Sequence, residues 1–440
     1  MKHITVFGAG LVGSLLAIYL KQRGYRVTVC ERRADPRRAG VVGGRSINLA
    51  LSDRGWRALE GVGMAEQIRE IALPMRGRMI HDLDGRQALQ PYGTTGQCIY
   101  SVSRALLNEK LLDLAEQEGA ELRFNERCLD VNFEQPTATL VSPGHPAAYT
   151  LETDFIFGAD GAFSAVRSSL QKTDRFDYEQ SYLAHGYKEL SIPPTADGQW
   201  RLDNGALHIW PRHSFMLIAL PNLDGSFTCT LFLPFDEFDK LDSPDRVAAF
   251  FQEHFPDVVP LMPDLQEEFV QNPTSSMVTV RCHPWVRGNV ALIGDAAHAL
   301  VPFYGQGMNA GFEDCRVLNE LMVAHPDDWP HFLEQYQRQR KPNADAIAQL
   351  ALQNFVEMRD RVVDPQFQLR KKIEAQLHQQ YPDEWVPLYT MVTFSHRPYA
   401  EALRLGRKQD DVMKQLLREP DLEARWDHPE TLEKAMRLFR

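Results

Sequence analysis

Residues 1–31 constrain the fold more than any other stretch. Ile4-Thr5-Val6-Phe7 is an apolar run that opens into Gly8-Ala9-Gly10-Leu11-Val12-Gly13, and Val27-Thr28-Val29-Cys30 leads to Glu31. A continuous apolar strand of this kind is covered on both faces, as in a parallel sheet. Glycines in the turn after it let backbone amides approach a pyrophosphate. The helix that follows points its positive end at the charge, and an acid ~20 residues further on meets ribose hydroxyls. Leu15, Leu16, Ile18 and Tyr19 keep helical spacing after the turn. The pattern predicts a Rossmann-type α/β unit that seats an adenine dinucleotide. FAD and NAD both satisfy it, whereas the ribose phosphate of NADP would face the Glu31 carboxylate.

Two later segments decide for FAD. Phe155-Ile156-Phe157 runs into Gly158-Ala159-Asp160-Gly161, and Val290-Ala291-Leu292-Ile293 runs into Gly294-Asp295-Ala296-Ala297-His298. Each is a buried strand ending in a small residue and an aspartate, followed by residues able to start a helix. The second continues as Pro302-Phe303-Tyr304-Gly305-Gln306-Gly307-Met308-Asn309-Ala310-Gly311, small and flexible enough to lay backbone against a flat ring. A nicotinamide site needs no such loop; a ribityl chain and an isoalloxazine do.

With its fingerprint glycines, GADG and GD-AAH segments in this order from Gly8 to Gly311, the chain resembles the single-component flavoprotein aromatic hydroxylases, the class with the para-hydroxybenzoate hydroxylase fold. The resemblance implies that Asp295 binds the ribityl chain, that Met308 and Asn309 meet the flavin ring through backbone amides, and that Arg104 reaches the cofactor from the start of its helix. Gly8, Gly10, Val12, Gly13, Glu31, Arg32, Arg33, Ala50, Cys128, Asp160 and Gly307 complete the expected FAD-contacting set. Read without the resemblance, Arg104 is a solvated helix-end charge.

Further segments narrow the resemblance to members that hydroxylate L-kynurenine: Gly44-Arg45-Ser46-Ile47-Asn48-Leu49-Ala50-Leu51, Pro74-Met75-Arg76-Gly77-Arg78-Met79, Pro91-Tyr92-Gly93, His185-Gly186-Tyr187, Leu207-His208-Ile209-Trp210-Pro211, residues 304–315 and Tyr389-Thr390-Met391-Val392-Thr393-Phe394-Ser395. The implied reaction consumes O2 and NADPH and passes through a flavin hydroperoxide. The chain holds no second GxGxxG, which fits NADPH as a transient co-substrate without a Rossmann domain of its own. The substrate's ring is already activated, so the protein must exclude water, hold the ring carbon close to the flavin and fix the zwitterionic end. By resemblance Arg78 anchors the carboxylate with its planar fork, Tyr92 and Tyr389 donate hydroxyls to it, and Asn354 contacts the amino group. Arg78-Met79-Ile80-His81 reads as a strand that puts Arg76 and Arg78 on one face. On sequence alone both arginines are surface charges, Asn354 a helix residue and the tyrosines core or rim aromatics. Gln306, in a Gly-Gln-Gly turn, has its amide free to hold a water or peroxide oxygen, and Pro302 with Phe303 walls the cavity; the bland alternative is a tight turn with an exposed amide. His298 caps or packs at a helix start and receives no proton-transfer role.

Composition sets limits. At 440 residues and 44% hydrophobic the chain buries more than one core. Its net charge of -11 argues against nucleic acid and anionic lipid as partners. Cys30, Cys98, Cys128, Cys229, Cys282 and Cys315 lack CxxC or metal-ligand spacing, so they read as reduced thiols of a cytoplasmic protein with no metal. No run approaches the ~20 apolar residues of a membrane helix. Eukaryotic members of the resembled family carry a C-terminal membrane-associating extension, whereas the charged stretch from Leu422 to Arg440 predicts a soluble protein; a monomer or a homodimer is expected, and the sequence does not decide between them.

The expected architecture is α/β (α+β), in three parts. A discontinuous FAD-binding domain takes residues 1–73, 100–172 and 286–324. An antiparallel-sheet substrate domain takes 74–99 and 173–285, with residues 206–234 as a meander and Ser243-Pro244-Asp245 starting a helix by the proline-first rule. A helical C-terminal region, 325–440, is broken at Pro342, Pro365, Pro382 and Pro387. A hydroxylase of another aromatic acid, a flavin oxidase, and a non-catalytic redox-sensing regulator stay open as alternatives.

Overall fold

The computed structural model describes residues 1–38, 48–93, 96–326, 328–361 and 364–440; Gly44-Arg45-Ser46-Ile47 of the sequence motif lies outside the described residues. Among the described residues a six-stranded sheet runs in the order Val286–Arg287, Val290–Leu292, Phe155–Gly158, His3–Phe7, Arg26–Glu31, Glu121–Phe124. All its neighbours are parallel except the first pair. The apolar runs form these strands because both faces are covered: Ile4, Val6, Ile156, Phe157, Val290 and Leu292 are fully buried. From His3–Phe7 the chain winds one way to Arg26–Glu31 and Glu121–Phe124, and the other way to Phe155–Gly158 and Val290–Leu292. The carboxyl end of His3–Phe7 is therefore the switch point where ligands of such sheets bind.

A mixed seven-stranded sheet, again among the described residues, has the order Ser275–His283, Asp177–Ile192, Phe227–Pro234, Phe215–Pro221, Ala206–Arg212, Gly77–His81, Gln87–Pro91. Its third, fourth and fifth strands are the expected antiparallel meander, with Ile218 opposite both Ile209 and Thr230. The sheet is not wholly antiparallel, because Ala206–Arg212 pairs in parallel with Gly77–His81, Leu207 opposite Arg78. That join brings a strand from far back in the chain beside the meander, which no local pattern encodes. Helix Pro244–His254 starts as predicted: the Ser243 hydroxyl accepts from the Arg246 amide, and Val247 and Phe251 are buried with Phe250 partly so.

Beyond His325 the described chain is helical. Pro365 opens helix Pro365–Gln380, Pro382 follows its end, and Pro387 precedes helix Leu388–Thr393. Pro342 is a correction: it lies inside the uninterrupted helix Trp329–Val356. An interior proline costs ~3 kcal/mol, but Phe332, Leu333 and Tyr336 before it and Ile347, Leu350 and Ala351 after it are all buried. Burying six such side chains outweighs that cost several times over.

Candidate active site

The three stretches singled out in the sequence meet at one sheet edge. The Gly8 amide donates to Cys30 O at 2.8 Å, that of Ala159 to Phe7 O at 2.8 Å, and that of Ile293 to Gly158 O at 3.0 Å. A Cβ on Gly8 would fall 2.4 Å from Ala159 O, and one on Gly13 1.9 Å from Gly8 O, whereas one on Gly10 would meet nothing within 4 Å. Two glycines thus close the turn and the third leaves space before helix Leu11–Gln22. That helix start has no side-chain cap and no acid in its first turn, a seat for a pyrophosphate. Glu31 is fixed beside it, accepting from the Ala9 and Arg33 amides at 3.0 Å each. Arg32 and Arg33 are exposed.

Asp295 leaves its side chain accessible while protein surrounds it on every side, as the wall of a deep cleft does. That burial raises its carboxyl above the usual range, against the pull of His298 and Arg104. Arg104 itself is exposed at the first position of helix Arg104–Gln117, within the electrostatic reach of Asp295. Val12 packs where a Cβ on Gly294 or Gly311 would lie. Helix Gly307–Ala324 begins uncapped and without an acid in its first turn, and Gly307 faces open space. The side chain of Asn309 ties this helix back, donating to Ala50 O at 2.8 Å and Gly305 O at 2.7 Å. These open glycines, bare helix starts and cleft-wall carboxylate fit a dinucleotide with a flat ring. Asp160 instead caps helix Ala165–Leu170, accepting from Ser164 Oγ at 2.5 Å and the Ala165 amide at 2.7 Å. The Cys128 thiol points at Asp130 O at 3.7 Å, and burial pushes its pKa up to about 12.

At the other end stand Arg78 and three stacked tyrosines. Tyr389 lies between Tyr92, 5.4 Å away at 15°, and Tyr304, 5.6 Å away at 19°. The Arg78 guanidinium sits 4.5 Å from the Tyr389 ring and 5.7 Å from the Tyr92 ring. Among the described residues, Arg78 Nε and the Tyr92 hydroxyl are buried with no hydrogen bond of ordinary geometry, although Arg78 and Tyr389 both lie near enough to act on that hydroxyl. Burial works against the Arg78 charge, but Tyr389, Tyr92 and Glu357 together outweigh it and hold its pKa above the ordinary value. Arg76 is exposed, so of the pair only Arg78 reaches this pocket. Asn354 is buried and donates through Nδ2 to Phe303 O at 2.6 Å and toward Met358 Sδ at 3.2 Å. Phe303 stacks on Phe355 at 4.2 Å and touches Phe232 at 4.9 Å; Pro302, which begins this turn, is exposed.

The expectation of a free Gln306 amide is corrected. Gln306 is buried, accepts from the Tyr399 hydroxyl at 2.7 Å and donates to Ser52 Oγ at 3.4 Å. The C-terminal helices pack over this turn and supply the partner a local reading misses. An ion cluster below it was also missed. Glu313 Oε1 takes Arg54 at 2.6 Å and its Oε2 takes Arg340 at 2.5 Å, while Asp314 takes Arg340 and His298, each at 2.5 Å. Burial alone would raise the Glu313 and Asp314 carboxyls, yet Arg340 and Arg54 hold the first below the usual range, and His298 and Arg340 the second. The available signal was charge on apolar stripes: Arg54 shares its helix face with Ala58, and Glu313-Asp314 follows Phe312.

A flavoprotein of the aromatic-hydroxylase fold is the class this edge and this anchor define. The chain matches the FAD binding domain family over residues 2–351. Kynurenine 3-monooxygenase of Flavobacterium johnsoniae is 50% identical over 441 residues, covering 99% of this chain and 98% of the relative. That of Dictyostelium discoideum is 46% identical over 438 residues, covering 96% and 94%. The chain belongs to the same family as these kynurenine 3-monooxygenases. In fold it is similar to 2-methyl-3-hydroxypyridine-5-carboxylic acid oxygenase, with a TM-score of 0.69 at 20% identity over 83% of this chain and 94% of that one. PqsL of Pseudomonas aeruginosa gives 0.65 at 19% over 81% and 99%. Among the described residues no helix is long and apolar enough to cross a membrane.

Proposed function

We propose that the protein is an FAD-dependent monooxygenase that converts L-kynurenine, NADPH, O2 and a proton to 3-hydroxykynurenine, NADP+ and water, in tryptophan degradation in the cytoplasm. The observation that carries this is Arg78, walled by Tyr92 and Tyr389 and paired with no carboxylate among the described residues. A guanidinium so placed takes an anion from outside, and its fork matches the substrate's carboxylate. Tyr92 adds its hydroxyl, and Asn354, whose amide nitrogen is already spent on Phe303 O, offers Oδ1 to the ammonium. Bound FAD supplies the activation of oxygen with reducing equivalents from NADPH. Gly8, Gly10, Gly13, Glu31, Asp295, Gly307, Met308 and Asn309 hold it, and Phe303 and Pro302 keep water from the ring edge. Residues 1–73, 100–172 and 286–324 form the flavin domain, 74–99 and 173–285 the substrate domain, and 325–440 the helical cover.

Oxygen uptake by the yellow protein with NADPH, with and without L-kynurenine, tests the proposal. The expected result is kynurenine-dependent uptake and a product heavier by one oxygen atom. NADPH oxidation indifferent to L-kynurenine, with no such product, overturns it.

A further inference from the structure

The C-terminal helices reach past the substrate anchor into the turn that faces the flavin. Tyr399 lies outside the stretch matched by the FAD-binding family, which ends at residue 351. It is fully buried, and among the described residues its hydroxyl makes one hydrogen bond, to Gln306 Oε1 at 2.7 Å. Gln306 occupies the N-cap position of helix Gly307–Ala324 without capping it through its side chain, so a bond that holds this side chain tethers the residue from which the helix starts. The Arg54 guanidinium lies over the Tyr399 ring at 4.0 Å.

Arg54 has no exposed side-chain surface and spends its fork in three directions. It donates to Glu313 Oε1 on the flavin-facing helix at 2.6 Å, to Val392 O at 3.2 Å, and to Arg397 O just before Tyr399. Val392 lies three residues from Tyr389 on helix Leu388–Thr393, one turn along the same helix. A buried guanidinium with all its partners in place holds them at fixed spacing, because the planar fork allows one arrangement.

We propose that Tyr399 and Arg54 are positioning residues that fix the flavin-facing turn from the C-terminal helices and tie it to the helix bearing the substrate-anchoring Tyr389. The proposal rests on the monooxygenase activity proposed above. Seating a carboxylate on Arg78 and Tyr389 settles helix Leu388–Thr393, and Arg54 and Tyr399 pass that setting to Glu313 and Gln306. The reacting end is then held in register, with water excluded, when the anchor end is filled.

The test uses the full-length, FAD-loaded protein as wild type, Tyr399→Phe and Arg54→Lys. The readouts are FAD content, KM for L-kynurenine, and hydroxylated product formed per NADPH oxidised, with hydrogen peroxide accounting for the remainder. Tyr399→Phe keeps the ring beneath Arg54 and removes one hydrogen bond. Its FAD content and KM should stay within about twofold of wild type, while product per NADPH falls about fivefold, the factor an ordinary hydrogen bond is worth. Arg54→Lys keeps the charge and loses the fork, and its product yield should fall at least as far. Wild-type yield in Tyr399→Phe overturns the inference. So does a fall matched in size by lost FAD or a raised KM, which would mean general loosening. A wild-type protein that forms no hydroxylated product overturns the activity, and this inference falls with it.

Discussion

Arg54 and Arg78 are both guanidiniums enclosed by protein, and they are furnished in opposite ways. Arg54 has a carboxylate at 2.6 Å, two backbone carbonyls and an aromatic face; with Arg340 it neutralises Glu313 and Asp314 inside the fold. Arg78 has two tyrosine rings, the longer-range pull of Glu357, and an Nε with no hydrogen-bond partner among the described residues. Taking a charge out of water costs several kcal/mol that only a counter-charge and hydrogen bonds offset. The first arginine receives that compensation from its own chain and holds structure together. The second has its charge supported by Tyr389, Tyr92 and Glu357 but pairs with no carboxylate among the described residues, and so is the group proposed for the substrate end.

The contrast breaks most visibly if the compensated cluster is opened. Arg340→Met strips the shared cation from Glu313 and Asp314, and removing one partner of a buried pair typically costs ~3–5 kcal/mol. Urea unfolding should show a loss of that size, with FAD retention falling alongside because both acids lie on helix Gly307–Ala324, whose first turn is proposed to hold the flavin. An unchanged midpoint would mean the cluster is not held as described. Arg78→Ala should do the reverse. It removes contacts with the Tyr389 and Tyr92 rings but no ion pair among the described residues, so stability should fall by about 1–2 kcal/mol at most, less than in Arg340→Met, with FAD content held, while kcat/KM for L-kynurenine falls by ~2–5 kcal/mol of lost charge pairing, read as a raised KM. Steady-state kinetics beside a melting curve check both halves, and wild-type KM would remove Arg78 from the anchor.

The two arginines were also unequally legible. The sheet edge around Gly8, Asp160 and Asp295 could be read from the chain because apolar strand, glycine turn and helix start are local signals. Arg78 could be placed on a strand, but its burial depends on the parallel pairing of Gly77–His81 with Ala206–Arg212 and on Tyr389 arriving from more than three hundred residues away. Only resemblance named it. The Arg54 cluster escaped because its members come from four separate elements, and an arginine following Ser52 and Asp53 looks like an ordinary helix-start residue. Gln306 was assigned a free amide for the same reason: its partner Tyr399 is invisible to any reading of the Gly-Gln-Gly turn. Pro342 misled in the opposite direction, since a local helix-breaking signal yielded to packing on both sides.

Tyr92 sharpens the comparison most finely, and with the smallest effect. Its hydroxyl is buried without a hydrogen-bond partner among the described residues, and burial raises its pKa well above the ordinary value, so it stays a neutral donor near neutral pH. Tyr92→Phe keeps the ring against Tyr389 and Phe394 and deletes only the orphan group. If the hydroxyl were structural, its loss would destabilise the protein by ~1 kcal/mol; if it awaits the substrate, stability should hold or rise slightly, since an unsatisfied buried group is itself costly. KM for L-kynurenine should rise by about fivefold, with kcat nearly unchanged, if the hydroxyl meets the carboxylate equally before and during reaction as proposed. A lowered melting temperature with unchanged KM would place the hydroxyl with the self-compensated groups around Arg54 instead of the waiting ones around Arg78.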